Sequence, residues 1–257
     1  MRATDALDRM PPSEDREQEF WDEHVPDLDV CVQHYRLGPS PNTAAMIAAV
    51  SPLADRRVLD FACGPGVTSA WLAERGANVT GVDISPQSIQ RARELTSHLG
   101  LSATFTTAHL TDLQPDSFDA IIGQYALHHV DLTLVAPLLK SLLKAGGVGV
   151  FVETMGLNPI LSAARDYLAG RAKIASYGSH DERPLRAADL ELLGRVFGEV
   201  ELDVAQLTFL RIFDRNVMRF RNPGVSRVLG AIDDWILRRG FGRLSYHQVV
   251  KVRKLYS

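Results

Sequence analysis

From Arg56 onward, apolar positions alternate between short runs of four to seven residues and longer stretches with helical spacing. Arg57–Phe61 (RVLDF) predicts a strand running into a glycine-rich turn, and Val67–Arg75 a helix. Asn78–Val82 predicts a second strand, followed by a tight turn at Asp83–Ser85. A helix over Pro86–Leu99 comes next, with Ser85 as its cap, Pro86 in its first turn and Gly100 ending it. Ala103–Thr107 is a weak third strand and Phe118–Gln124 a strong fourth. Leu132–Lys144 predicts a helix, and Val148–Glu153 a buried fifth strand entered through Ala145-Gly146-Gly147. Repeated strand–helix units imply an α/β fold with a doubly wound, mostly parallel sheet.

Beyond Glu153 the rhythm changes. Residues 154–184 form an insertion after the fifth strand, with one helix around Ile160–Leu168, and are a candidate lid on the substrate side. Ala187–Phe197 predicts a helix, Val200–Ile212 a long strand, Val225–Arg238 a helix and Leu244–Val252 a last strand. Residues 1–51 are mostly helical and set apart, so the expected division is an N-terminal helical lid region (1–51) and a core (52–257).

The 257 residues suffice for one elaborated domain rather than two full ones. A hydrophobic content of 46% without any run near the ~20 apolar residues of a spanning helix leaves no membrane partner expected. The acid-rich start lacks the order of a secretory signal, so a cytoplasmic location is expected. Cys31 and Cys63 form no metal or disulfide pattern, and no metal is expected. The net charge of −3 argues against a wholly electrostatic nucleic-acid binder, and no nucleic-acid partner is expected. Charge is uneven, however, with acids concentrated over Asp5–Asp29 and bases over Arg211–Lys254. Those bases suit solvated helix faces, terminal docking, contacts in a homo-oligomer or an anionic substrate.

The informative stretch is Val58-Leu59-Asp60-Phe61-Ala62-Cys63-Gly64-Pro65-Gly66, a strand entering a glycine turn and then a helix. Gly64 and Gly66 let the backbone approach a ligand, and the helix start offers free N–H groups. Ser69 stands where the dinucleotide fingerprint has its third glycine, and Asp60 would repel a pyrophosphate. Asp83, ending the second strand, is placed to accept both hydroxyls of a ribose. A cationic amino-acid nucleotide therefore fits better than NAD.

Together with SFDAII before the fourth strand and LLKAGG before the fifth, these motifs resemble the class I S-adenosylmethionine-dependent methyltransferases over about Arg56–Glu153. The resemblance implies a seven-stranded sheet whose last strand inserts antiparallel between the fifth and sixth. It implies S-adenosyl-L-methionine as cofactor and S-adenosyl-L-homocysteine as product. It also places Asp60, Ala62, Gly64 and Gly66 near the methionine part, and Asp83 and Ile84 near ribose and adenine. Where the family often has an acid after the third strand, this chain has His109, which can accept from or stack on adenine, with Leu110 covering the ring. Gln124, closing the fourth strand, is a further cofactor-side candidate.

Methyl transfer is an in-line displacement that needs alignment and exclusion of water more than dedicated catalytic groups. A base helps where the acceptor loses a proton. His128 and His129, at the carboxyl edge of the sheet, are the catalytic candidates, against structural packing beside Asp131. Trp21 and Tyr35 on the lid can wall the sulfonium or the acceptor. Glu153, Tyr177 and His180 are further substrate-side candidates. The expected function is transfer of a methyl group to O, N or C of a small metabolite. The basic residues, 5 Lys against 23 Arg, hint at specialised biosynthesis in a GC-rich bacterium. An RNA methyltransferase and a non-catalytic protein of the same fold are the alternatives.

Overall fold

The computed structural model describes residues 14–163, 183–214, 218 and 221–255. Its centre is a seven-stranded sheet in the order β3-β2-β1-β4-β5-β7-β6. The strands are β1 (Arg57–Phe61), β2 (Asn78–Val82), β3 (Thr104–Thr106), β4 (Phe118–Gln124), β5 (Leu143–Thr154), β6 (Val200–Asp203) and β7 (His247–Arg253). β1 to β5 pair in parallel, and β7 runs antiparallel between β5 and β6. This is the Rossmann-like α/β arrangement the resemblance implied.

Helices cover both faces of the sheet: α1 (Glu14–Glu23), α2 (Leu28–Leu37), α3 (Pro41–Ala49), α4 (Val67–Glu74), α5 (Pro86–His98), α6 (Leu132–Leu142), α7 (Ala187–Phe197), α8 (Leu210–Phe213) and α9 (Pro223–Arg238). Successive strand residues point to opposite faces, so each strand feeds two cores. Val58, Ile122, Val150 and Val152 pack with Met46, Val50 and Trp71 on one side. Leu59, Ile121 and Phe151 pack with Leu139, Leu142 and Leu193 on the other. Strands buried on both faces read as continuous apolar runs, which is why β1 and β4 were legible as such.

Several boundaries differ from the sequence expectation. The helix expected to reach Lys144 ends at Leu142, because Leu143 already pairs with Phe118 and begins β5 ahead of Val148. The long strand expected over Val200–Ile212 stops at Asp203, because Asn42 and Asp233 capture the backbone N–H groups beyond it. Asn42 Oδ1 accepts from Ala205 and Gln206, and the Asp233 carboxylate accepts from Phe209, Leu210 and Arg211. The last strand starts at His247 rather than Leu244, where residues Gly242–Leu244 form a helical turn. The segment before residue 52 is not set apart either, since Cys31, Met46 and Val50 lie inside the core under β1 and β5. Of the insertion's expected helix, residues 159–163 are helical, capped by Asn158 Oδ1, and the remainder lies outside the described residues.

Candidate functional site

The carboxyl ends of β1, β2, β4 and β5 open onto one edge of the sheet, where parallel α/β sheets bind ligands. β1 ends at Phe61, and the chain turns through Ala62 and Gly64, both at positive φ (54° and 51°), into Gly66 at φ 79°, which caps α4. The two glycines differ in purpose. A side chain at Gly64 would project into open space, whereas one at Gly66 would lie 2.7 Å from Ala92 Cβ on α5. Gly64 keeps the loop open to a ligand and Gly66 lets two helices meet.

Asp60 lies just below this turn, almost fully buried, and accepts from Ser69 Oγ at 2.6 Å. Burial, with the Asp83 charge adding to it, pushes its pKa up to about 7, although the Ser69 hydrogen bonds oppose the rise. Asp83 closes the second strand. Its Oδ2 accepts from the Gly64 N–H at 2.8 Å and its Oδ1 from the Ser85 N–H at 2.9 Å. Burial raises the Asp83 pKa as well, against these two hydrogen bonds, with Asp22 adding to the rise. The buried Asp60, the half-buried Asp83, a glycine turn open to approach and an exposed Ile84 form a set of acceptors short of positive charge. That set fits the ammonium and ribose of S-adenosylmethionine and is wrong for a pyrophosphate. Burial lifts the Cys63 thiol well above its usual range, in keeping with packing.

Other cofactor-side candidates fall into place unequally. His109 is exposed before a one-turn helix, its N–H donating to Asp112 Oδ2 at 3.2 Å, and Leu110 is half-buried against the core. Gln124 has its amide engaged: Thr43 Oγ1 donates to its Oε1 at 2.8 Å and its Nε2 donates to Thr68 Oγ1. It thereby ties α3 to the start of α4.

The acceptor side is built around the turn after β4. Glu153 departs from the expected substrate contact: it is wholly buried, its Oε1 accepting from the N–H groups of Ala126 and Leu127 at 3.0 and 2.8 Å. His128 Nδ1 lies 2.7 Å from its Oε2. Glu153 thus holds the histidine turn in shape from beneath, and its carboxylate is already occupied. His128 is buried with it, while His129 projects toward α1. There, Nδ1 of His129 lies 3.2 Å from Glu17 Oε2, an ion-pair distance without hydrogen-bond geometry. Trp21 Nε1 donates to the same Glu17 oxygen at 3.1 Å, and the Trp21 ring stands edge-on to His129 at 5.6 Å. Tyr125, at the strained φ of 54°, stands edge-on to His247 at 5.2 Å. Strained backbone of this kind concentrates at functional turns.

Tyr35 is the second correction among the substrate-side candidates. Its hydroxyl donates to Glu74 Oε1 at 2.7 Å, at the far end of α4 from the glycine turn, because α2 packs along that helix. Desolvation and that hydrogen bond raise its pKa to about 12. Tyr177 and His180 lie outside the described residues. Sequence reasoning passed over Glu17, Asp22, Tyr125 and His247. The single signal for Glu17 is its i,i+4 spacing to Trp21 within an acidic helix. Asp22 Oδ1 accepts from Ser85 Oγ at 2.6 Å and from the Gln87 N–H at 3.3 Å, pinning α1 over the Asp83 turn.

Among the described residues, no cluster of His, Cys, Asp or Glu is arranged to hold a metal ion, and no helix is long and apolar enough to cross a membrane. A groove of about 620 Å³ beside β6, lined by Leu190, Val200, Leu202 and Arg243, lies at the opposite edge of the sheet from the β2 turn.

A family model described as a methyltransferase domain matches residues 58–147. The ubiquinone biosynthesis O-methyltransferase of Pseudomonas aeruginosa strain UCBPP-PA14 is 32% identical over 166 residues, covering 61% of this chain and 70% of that protein. Among solved structures, the geranyl diphosphate C-methyltransferase of Streptomyces coelicolor A3(2) superposes with a TM-score of 0.65 at 10% identity, covering 94% of this chain and 98% of that one. Phosphoethanolamine N-methyltransferase 2 of Haemonchus contortus, solved with S-adenosylhomocysteine, gives a TM-score of 0.64 at 15% identity, over 93% of this chain and 60% of that one.

Proposed function

The chain belongs to the class I S-adenosylmethionine-dependent methyltransferases, enzymes acting here on a small molecule, and on that premise we propose that it methylates a hydroxyl oxygen of an aromatic metabolite. The observation that carries this reading is His129 set against the buried Glu17 carboxylate beneath Trp21. Oxygen is favoured as the acceptor atom by the names of the sequence relatives. The C- and N-methyltransferase neighbours share the fold, which does not choose the acceptor.

S-adenosylmethionine, when bound, supplies an electrophilic methyl group on a sulfonium. Asp60 would hold its ammonium end and Asp83 would accept from the ribose diol, while the backbone at Gly64 would allow close approach without a side chain in the way. On the acceptor side, the Glu17 carboxylate lies at ion-pair distance from Nδ1 of His129, and Nε2 is the atom that takes the proton from the acceptor hydroxyl as the oxygen becomes a nucleophile. The Glu17 charge stabilises the imidazolium so formed. Trp21 and Tyr125 offer aromatic faces to the acceptor ring, and α1 covers the cleft against water.

The test is steady-state kinetics of His129→Asn and Glu17→Gln with a panel of phenolic acceptors. We expect kcat to fall about 10²–10³-fold for His129→Asn, less for Glu17→Gln, with the KM for S-adenosylmethionine unchanged and the lower limb of the pH profile lost. His129→Asn with wild-type kcat and an unaltered profile would overturn the assignment.

A further inference from the structure

The basic carboxyl-terminal region plays no part in the site above, and most of its arginines sit on or beside α9. This helix is fixed by one face alone. Asp233 is fully buried and accepts the three N–H groups that start α8, and Gly230 lets Arg211 pack flat against the helix. The opposite face carries Val228, Ala231, Ile232 and Trp235, spaced as one helical stripe and exposed to solvent, with Trp235 at 49%. Phe241 prolongs the stripe just past the helix end, at 56% exposure. Arg227 and Arg238 run along one edge of it, and the Arg239 guanidinium lies 4.5 Å over the Trp235 ring. Two nearby acids are paired, Asp234 with Arg211 at 2.9 Å and Asp203 with Lys251 at 3.0 Å, and Glu191 lies in the groove beside Leu237 and Gly240.

An apolar stripe with a tryptophan, a phenylalanine and an arginine border has the composition of a helix lying in the headgroup plane of a bilayer. Arginine stems reach across the stripe while their guanidinium groups meet phosphates. A second copy of the chain suits this face poorly. A two-fold contact would set Arg227, Arg238 and Arg239 against the like charges of the other subunit.

We propose that the Val228–Phe241 face is a docking surface for an anionic phospholipid bilayer, on which α9 lies parallel to the membrane. That no helix among the described residues is long and apolar enough to cross a membrane does not bear on this, because a surface helix spans nothing.

The experiment is co-sedimentation of the full chain with vesicles of phosphatidylglycerol and phosphatidylcholine, compared with phosphatidylcholine alone. Binding is expected to the anionic vesicles, to be released by high salt, and to fall about fivefold for each arginine removed in Arg238→Gln and Arg239→Gln. The pair Ile232→Asp, Trp235→Asp should abolish it while leaving thermal stability and S-adenosylhomocysteine affinity intact. Absence of binding to anionic vesicles, equal binding to neutral ones, or retention in the Ile232→Asp, Trp235→Asp protein would overturn the proposal. So would a concentration-dependent dimer that those two substitutions dissociate, which would assign the face to a second copy.

Discussion

Replacing Asp60 by Asn removes a buried charge and keeps an oxygen to accept from Ser69 Oγ. With a pKa of about 7 against the usual 3.8, the folded protein retains a proton at Asp60 that the unfolded chain has released between about pH 4 and 7. Because the native state binds more protons there, stability falls as pH rises through that window, and the whole deficit is present above pH 7. At 1.36 kcal/mol per pH unit the deficit is about 4 kcal/mol, part of which belongs to the neighbouring Asp83. Without ligand, Asp60→Asn should therefore be more stable than wild type at pH 8 by about 2–4 kcal/mol. At ~2–3 °C per kcal/mol for a chain of this size, that is a Tm gain of about 4–12 °C, shrinking as pH falls toward 4. S-adenosylhomocysteine, whose ammonium meets this carboxylate in our reading, should bind about 10–100-fold more weakly. Thermal unfolding from pH 4 to 8.5 and titration calorimetry measure the two effects. Parallel pH curves for the two proteins would refute the buried-charge argument, and unchanged affinity would refute the ammonium assignment.

The two loop glycines should separate by phenotype. Gly66→Ala drives a Cβ into Ala92 at positive φ and should cost about 2–4 kcal/mol in urea unfolding. Gly64→Ala should cost only about 1 kcal/mol but weaken S-adenosylhomocysteine binding in calorimetry; equal losses of stability would contradict this division. Glu153→Ala strands two buried N–H groups and the His128 imidazole, so a loss of about 3–5 kcal/mol is expected, and a wild-type Tm would disprove its scaffolding role. Asp83→Ala should weaken S-adenosylhomocysteine at least tenfold by calorimetry while circular dichroism shows the fold retained.

The parallel half of the fold was legible because its signals are local. β1, β2 and β4 are apolar runs between turn residues, and Ser85 and Pro86 mark the start of α5 within two residues of chain. The failures come from partners far away in sequence. Residues 200–212 are rich in apolar residues throughout, yet Asn42, some 160 residues earlier, and Asp233, about 20 residues later, take the N–H groups a strand would need. At the site, the glycine turn and Asp83 stood out because backbone geometry demands those residue types. Glu153 read as a strand end with a free carboxylate, since nothing in the sequence shows that three donors converge on it. Tyr35 looked suitable by type and sits at the wrong end of α4. Glu17, in turn, resembles every other acid of its helix until folding lays it on His129.

Helix α1 holds Asp22 on the turn that carries Asp83 and, five residues earlier, Glu17 on His129. Ten residues of chain therefore join the turn that carries Asp83 to the imidazole that follows β4, so any substitution that loosens α1 is felt at both ends of the cleft at once.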